Sequence, residues 1–426
     1  MTSPEPASQK GPPPDSAFAQ QPRAIPGASD GGCVVCGSGS VWTFAEMKGV
    51  PVHSNVLAAS RAQALQVPTG DLEMRCCRDC GHVYNAAFRP ERMTYTSDYE
   101  NSLFVSPTYR AYAEALVADL IKRFGLRGKR VVEIGCGSGE FLKLLCDQGE
   151  NDGIGFDPSG LAGRCIEGHP KIRFVREHYT PKHADVDADF LCCRQVLEHV
   201  PAPRAFLREI KNALPTRKRV GVLFEVPDVL FMLEAHSSWD FIYEHCSYFS
   251  MSSLNRLFAM AGFTVLDVWR AFHNQFLCVC AEPLREGAVA KGATAEFDPH
   301  EVVRNAQAFA EVFREQRHAW NQTLRSYAES RAKVVLWGAG SKGVTFLNVV
   351  QSSRSIGYVV DINDQKCGKF IPGTGQRIVS PGFLKEHRPD VVILMNPAYE
   401  TEVRATLAGM KINPRIVAVS QPALAS

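Results

Sequence analysis

Apolar side chains at Tyr109, Tyr112, Ala113, Leu116, Leu120, Ile121 and Phe124 recur at the spacing of one buried helical face. Ser106 and Pro107 just ahead of them supply a cap and a first helical turn. From Lys129 the pattern changes. Strand-like runs (Arg130–Ile134, Gly153–Phe156, Ile172–Val175, Asp189–Cys193, Val220–Val226) alternate with helical runs at Glu140–Gln148, Arg204–Leu214 and Ser253–Ala261. Two more strand runs, Thr264–Phe272 and Gln275–Ala281, are separated only by His273-Asn274, which predicts a hairpin. Repeated βα units closing on a hairpin predict an α/β fold, a mostly parallel sheet with one antiparallel strand near its end.

The same reading divides the chain. Residues 1–32, rich in Pro, Ala, Ser, Gln and Gly, lack an apolar core and read as a disordered tail. Residues 33–90 are short, turn-rich and Cys-containing, and 91–283 hold the βα series. Residues 284–330 read as a linker followed by an amphipathic helix (Val303, Ala306, Phe309, Phe313, Trp320, Leu324, Tyr327). Residues 331–426 start a second βα series with Val334–Trp337, helix Lys342–Val350 and strand Tyr358–Ile362.

Charge narrows the partners. With 47 basic and 45 acidic residues the formal charge is +2, so no nucleic acid is expected as a partner. The longest apolar stretch, Val220–Leu233, is broken by Glu225, Pro227 and Asp228, so no membrane span is expected either. Fourteen cysteines without an export signal favour a reducing cytoplasm and a thiolate metal site over disulfides. Cys33-Val34-Val35-Cys36-Gly37 and Cys77-Arg78-Asp79-Cys80-Gly81 are two Cys-x-x-Cys knuckles. Four thiolates suit tetrahedral Zn²⁺ in a closed, structural site. Redox or plainly buried cysteines are the alternatives, and Cys76 competes with Cys77.

The strongest motif is Glu133-Ile134-Gly135-Cys136-Gly137-Ser138-Gly139, a strand running through Gly135, Gly137 and Gly139 into a helix. Glycines there let the backbone approach a ligand where β-carbons would clash. Glu133 can accept hydrogen bonds around the turn. Asp157, followed by Pro158, ends the next strand and can take both ribose hydroxyls of a nucleoside. Gln195 and His199 follow the strand Asp189–Cys193 at its carboxyl end, where open α/β sheets bind ligands. Tyr243, Glu244 and His245 follow another strand end. They offer a phenol for an oxyanion, an orienting carboxylate and a base. In the last domain Gly338-Ala339-Gly340-Ser341-Lys342-Gly343, with Asp361 ending the next strand, matches a dinucleotide fingerprint, and equally a ligand-free close packing of helix on strand.

In this order the motifs resemble the three-part C-methyltransferases of branched deoxysugar biosynthesis. The resemblance spans about residues 33–420 and is carried by the knuckles, the S-adenosylmethionine turn, the Glu244-His245 block and Trp337–Gly343. It implies a small N-terminal zinc-binding domain, a class I methyltransferase Rossmann-like sheet and a C-terminal Rossmann-like domain, with S-adenosyl-L-methionine and structural Zn²⁺ as cofactors. It further implies a small-molecule substrate, a nucleotide-linked keto sugar, in a monomer or homodimer. His245 becomes the base that removes a proton beside a keto group, supported by Glu244, and Gln195 and His199 line the substrate pocket. Where the family has Tyr-His-Glu-His, this chain reads Ile242-Tyr243-Glu244-His245, so the phenol is shifted by one position. Tyr95 and Tyr99 match the region that donates another active-site tyrosine. An O- or N-methyltransferase of a small metabolite stays open, as does a bifunctional enzyme with NAD(P) in the last domain.

Overall fold

The computed structural model describes residues 32–93, 102–159, 163–215, 218–284 and 297–420. The expected tail up to residue 31, both Tyr95 and Tyr99, and linker residues 285–296 lie outside the described residues.

The N-terminal strands β1 (Val41–Pro51), β2 (Thr69–Cys77) and β3 (Val83–Asn85) form an antiparallel sheet. Next come β4 (Arg130–Ile134), β5 (Asp152–Phe156), β6 (Ile172–Val175), β7 (Phe190–Arg194) and β8 (Gly221–Pro227). The two-residue β9 (Ser247–Tyr248) follows, then β10 (Phe263–Ala271) and β11 (Phe276–Pro283). The central sheet is ordered β10-β11-β8-β7-β4-β5-β6, with β4 to β8 parallel and β11 antiparallel to β8. This is the class I methyltransferase sheet. The βα sequence pattern produces it because parallel strands, buried on both faces, need helical crossovers between them.

The hairpin turn is longer than the sequence suggests. Phe272, His273 and Asn274 all take left-handed conformations (φ 44°, 54° and 64°), so both strands stop short of the His-Asn pair. The turn projects Phe272 toward Tyr109, Tyr112 and Phe276, with ring centroids 5.1–5.5 Å away.

Strands β12 (Val334–Trp337), β13 (Tyr358–Val360), β14 (Arg377–Val379), β15 (Val391–Leu394) and β16 (Arg415–Ala418) form a second, all-parallel sheet ordered β14-β13-β12-β15-β16. Helix Pro299–Glu329 ties the two ends of the chain together. Asp298 caps it by accepting from His300 N, and Pro299 opens its first turn. Its first half packs Val302, Val303, Ala306, Phe309 and Phe313 against Phe44, Met47 and Met74 of the N-terminal sheet. Its second half buries Trp320 and Leu324 among the C-terminal core, and Trp320 Nε1 donates to Val419 O at 2.9 Å. At roughly 1.5–3 kcal/mol for each large buried apolar side chain, packing rather than intrinsic propensity holds this helix in place.

β9 leaves the central sheet and pairs with β3, Val83 opposite Tyr248 and Tyr84 opposite Ser247. The segment just before it, carrying His245, is thus hung on the N-terminal sheet.

Candidate active site

Strand ends of both parallel sheets converge on one cavity of about 560 Å³. At the end of β4 the chain turns through Gly135 (φ 67°), Gly137 (φ 51°) and Gly139 (φ 92°), a left-handed series that L side chains rarely adopt. A Cβ on Gly135 would lie 2.3 Å from Val196, whereas one at Gly137 would meet nothing within 4 Å. Asp157 braces the turn. Its Oδ2 accepts from Gly137 N at 3.0 Å and its Oδ1 from Ser159 N at 2.8 Å. Beneath the turn Glu133 is 3% exposed with Oε2 unpartnered, and burial pushes its carboxyl up to about 8.

At the end of β7, Gln195 (φ 55°) is a non-glycine residue in the left-handed region, held there by Gln195 N donating to Glu225 O at 2.8 Å. Below it lies a network no sequence motif announced. Arg194 Nη2 donates to Glu225 Oε1 at 2.9 Å and to Tyr109 OH at 3.0 Å, Gln195 Nε2 donates to Glu225 Oε1, and the Tyr112 hydroxyl donates to Glu225 Oε2. The guanidinium also sits 3.8 Å over the Phe141 ring. Glu225 is fully buried, and three donors, one of them the charged Arg194, supply what burial removes.

The histidines come together. His199 and His245 rings lie edge to face with centroids 4.8 Å apart. His199 Nδ1 donates to Glu244 O at 3.0 Å, which leaves Nε2 carrying the lone pair. Burial pushes His199 down to about 4 and His245 well below the usual imidazole range. Both residues line the cavity, with Gln195 and Glu198. Tyr248 shapes their loop from behind, since its hydroxyl accepts from Ile242 N at 2.8 Å and donates to Ile242 O at 2.9 Å.

The far wall belongs to the C-terminal sheet. Gly338, Gly340, Lys342, Asp361 and Lys366 line the same cavity as Gly135 and Gly137. Lys342 Nζ lies 2.9 Å from Asp240 Oδ2, and Lys366 Nζ lies 3.6 Å from Asp361 Oδ2.

Comparison with known proteins bears on this layout. A methyltransferase domain family matches residues 109–268, and a C-methyltransferase C-terminal domain family matches residues 286–416. The enzyme is an S-adenosylmethionine-dependent methyltransferase.

This methyltransferase is 27% identical over 394 residues to the C-methyltransferase NovU of Streptomyces niveus, covering 87% of this chain and 90% of that one. It is 33% identical over 88 residues to a ubiquinone biosynthesis O-methyltransferase of Salmonella paratyphi A, covering 19% of this chain and 36% of that protein. Among solved structures, an S-adenosylmethionine-dependent methyltransferase from Aquifex aeolicus aligns at 16% identity over 42% of this chain and 95% of its own, with a TM-score of 0.34.

The residues of the methyltransferase fit the cofactor. Open space beside Gly137, the unpartnered Glu133 oxygen and the cavity wall at Asp157 and Pro158 are where a nucleoside and its amino-acid arm could be held. The histidine block is divided by the fold. His245 faces the cavity. Tyr243 and Glu244 are not among the residues that line it. Tyr243 is 1% exposed, packs on Phe88, and its hydroxyl accepts from Arg89 N at 2.9 Å, so the phenol expected to steady an oxyanion anchors the N-terminal sheet instead. The fully buried Glu244 carboxylate accepts from Ser54 N and lies 3.9 Å from His53 Nδ1. It reaches into the N-terminal domain, where the sequence reading had it orienting His245.

The cysteines Cys33, Cys36, Cys77 and Cys80 bring all four sulfurs within 4.8 Å of one another, with Cys33–Cys80 and Cys36–Cys77 each at 3.6 Å. A tetrahedral ion with Zn–S near 2.3 Å needs sulfurs about 3.8 Å apart, so the cage has the right size. Cys76 is turned away and its Sγ contacts Cys77 O.

Proposed function

We propose that the enzyme methylates a carbon atom of a nucleotide-linked keto sugar, with His245 as the base. The observation that supports this most is the position of the His199–His245 pair on a cavity walled by both glycine turns. S-adenosylmethionine, when held by Gly135–Gly139, Glu133, Asp157 and Pro158, supplies a methyl group electrophilic enough to need no further activation. What this chain must supply is a nucleophile. A carbon beside a ketone becomes one only as an enolate, which calls for a base within reach and a site closed to water. His245 is neutral in this environment and therefore has a lone pair to offer at neutral pH. His199, fixed by the Glu244 carbonyl, sets the second wall. Lys342 and Lys366 line the same cavity, paired with Asp240 and Asp361, and exchanging those carboxylates for a diphosphate would let them hold a nucleotide sugar.

His245→Ala is expected to keep S-adenosylhomocysteine affinity within about twofold while turnover falls by roughly 10²–10⁴. Loss of deuterium from the carbon beside the ketone, followed without cofactor, should vanish in that variant. Retained turnover would remove His245 from the mechanism, and an O- or N-methylated product would redirect the reading.

The four-cysteine cage is proposed to hold one structural Zn²⁺. Elemental analysis should find about one zinc per chain, and Cys77→Ser should lose it. Because β9 hangs on β3, stripping the metal is expected to lower turnover more than cofactor affinity.

A further inference from the structure

One buried acid at the site has no role so far. Glu198 is 1% exposed, and neither carboxylate oxygen is hydrogen-bonded by another of the described residues, its own backbone N–H being the one group that favours the ionised form. A buried carboxyl left without partners is costly, so its retention on the cavity wall asks for a reason. One carboxylate oxygen of Glu198 and one ring nitrogen from each of His199 and His245 lie within 4.8 Å of one another. No hydrogen bond joins Glu198 to either histidine among the described residues, and a side-chain rotation at this separation is enough to make one. His245 Nδ1 is likewise buried and unpartnered.

The environment ranks the three groups. Burial makes an imidazolium unfavourable on either histidine, while it pushes the Glu198 carboxyl up to about 8. In this dry pocket the carboxylate is the stronger base, though the imidazole is the group placed as the base above. Resting on the reading in the previous subsection, we propose that Glu198 is the proton store of the site: the proton His245 takes from the substrate carbon passes through the imidazole onto the Glu198 carboxylate. The C–H bond breaks and its electron pair becomes the enolate. One ring nitrogen of His245 gains that proton, the other ring nitrogen gives up its own, and an O–H bond forms on Glu198. No imidazolium has to persist, and Glu198 acts through His245 as a positioning residue.

The titratable groups facing Glu198 are His199 and His245, Cys193 on β7, Cys246 and Tyr248 beside the loop, and Glu225 on β8. None is a cation that would hold the carboxylate ionised at neutral pH. The accepting form therefore grows as pH rises toward about 8.

The test uses the full-length protein saturated with S-adenosylhomocysteine, with two readouts. The first is deuterium washout from a panel of nucleotide-linked keto sugars between pH 6 and 9. Wild type should speed up with pH and level off near 8, while Glu198→Gln should lose about 100-fold and the pH rise with it, at unchanged S-adenosylhomocysteine affinity. Glu198→Asp should recover part of the rate. Washout within about threefold of wild type in Glu198→Gln, or an unchanged pH profile, overturns the proposal. So does washout that disappears on dialysis against EDTA and returns with a divalent cation. The second readout is the wild-type minus Glu198→Gln infrared difference spectrum, which cancels the Glu133 carboxyl; it should show a protonated-carboxyl band that fades near pH 8, and its absence overturns the proposal. If no sugar in the panel exchanges even with wild type, the keto-sugar reading fails, and the infrared band alone decides for or against the proton store.

Discussion

The two glycine turns that wall the cavity are built alike and charged differently. Each follows a parallel strand, opens a helix, and is braced by an aspartate ending the neighbouring strand. Asp157 takes Gly137 N on Oδ2 and Ser159 N on Oδ1, while Asp361 takes Ala339 N on Oδ2 and Asn363 N on Oδ1, with all four distances between 2.8 and 3.0 Å. The differences lie around this shared device. Two residues before the first glycine stands Glu133 at one turn and Leu336 at the other. The first turn has a buried acid beneath it and the second has Lys342 and Lys366 beside it. The backbone pattern thus makes room for a ligand, and the charges around it choose which. A lone buried acid lies under the first turn, whereas each lysine at the second is matched by an aspartate, Asp240 or Asp361.

The sharpest way to break this comparison is to fill each turn with a methyl group. Gly135→Ala places a Cβ 2.3 Å from Val196 at a left-handed backbone position, and S-adenosylhomocysteine affinity is expected to fall by more than about 100-fold. Gly340 sits at φ −92° with nothing within 4 Å of an added Cβ, so Gly340→Ala should leave that affinity within about twofold. Isothermal titration of both variants checks the pair, and equal losses would mean that the cofactor spans both turns.

A smaller effect is expected from Lys342→Met. It removes one cation from the second wall and should raise KM for a nucleotide-linked substrate by about tenfold, in line with a charge-assisted hydrogen bond. Cofactor affinity should stay level, and steady-state kinetics separates the two.

The smallest effect concerns the acid itself. The Glu133 carboxyl, raised to about 8, keeps a proton in the folded state that the unfolded chain has already lost above about 4.5. Its contribution to stability is therefore complete below about 4.5 and is lost as pH rises through 8. In the absence of cofactor, Glu133→Gln should narrow the drop in Tm between pH 6 and 9 by about 3 °C. Leu336→Gln at the second turn should show no such pH dependence.

How much of this was legible in the sequence depended on whether the signal was local. Gly135–Gly139 with Asp157 could be read because turn, helix start and bracing carboxylate follow one another along the chain. The knuckles could be read because two Cys-x-x-Cys pairs need only a connecting loop to meet. The Arg194–Glu225 network escaped notice, since Tyr109, Tyr112, Arg194 and Glu225 come from one helix and two strands, and none belongs to a motif. The Tyr243-Glu244-His245 block misled for the opposite reason. Adjacent letters suggested a shared role, but the chain there is irregular and stitched to another sheet, so the three side chains part company. The single cavity shared by both glycine turns has no linear signature at all.

The pairing of β9 with β3 has a practical consequence. Only two residues long, it ties the loop carrying His245, the proposed base, to a domain that contributes little else to the cavity wall, while the Asp228–Phe249 bridge ties the end of that loop to the end of β8. A laboratory that excised the central sheet as a stand-alone catalyst would obtain a fold still able to cradle its donor, with the imidazole loose. Grafting experiments between relatives should therefore move the cysteine-rich module and the 242–249 loop as one cassette, because neither half keeps its register without the other.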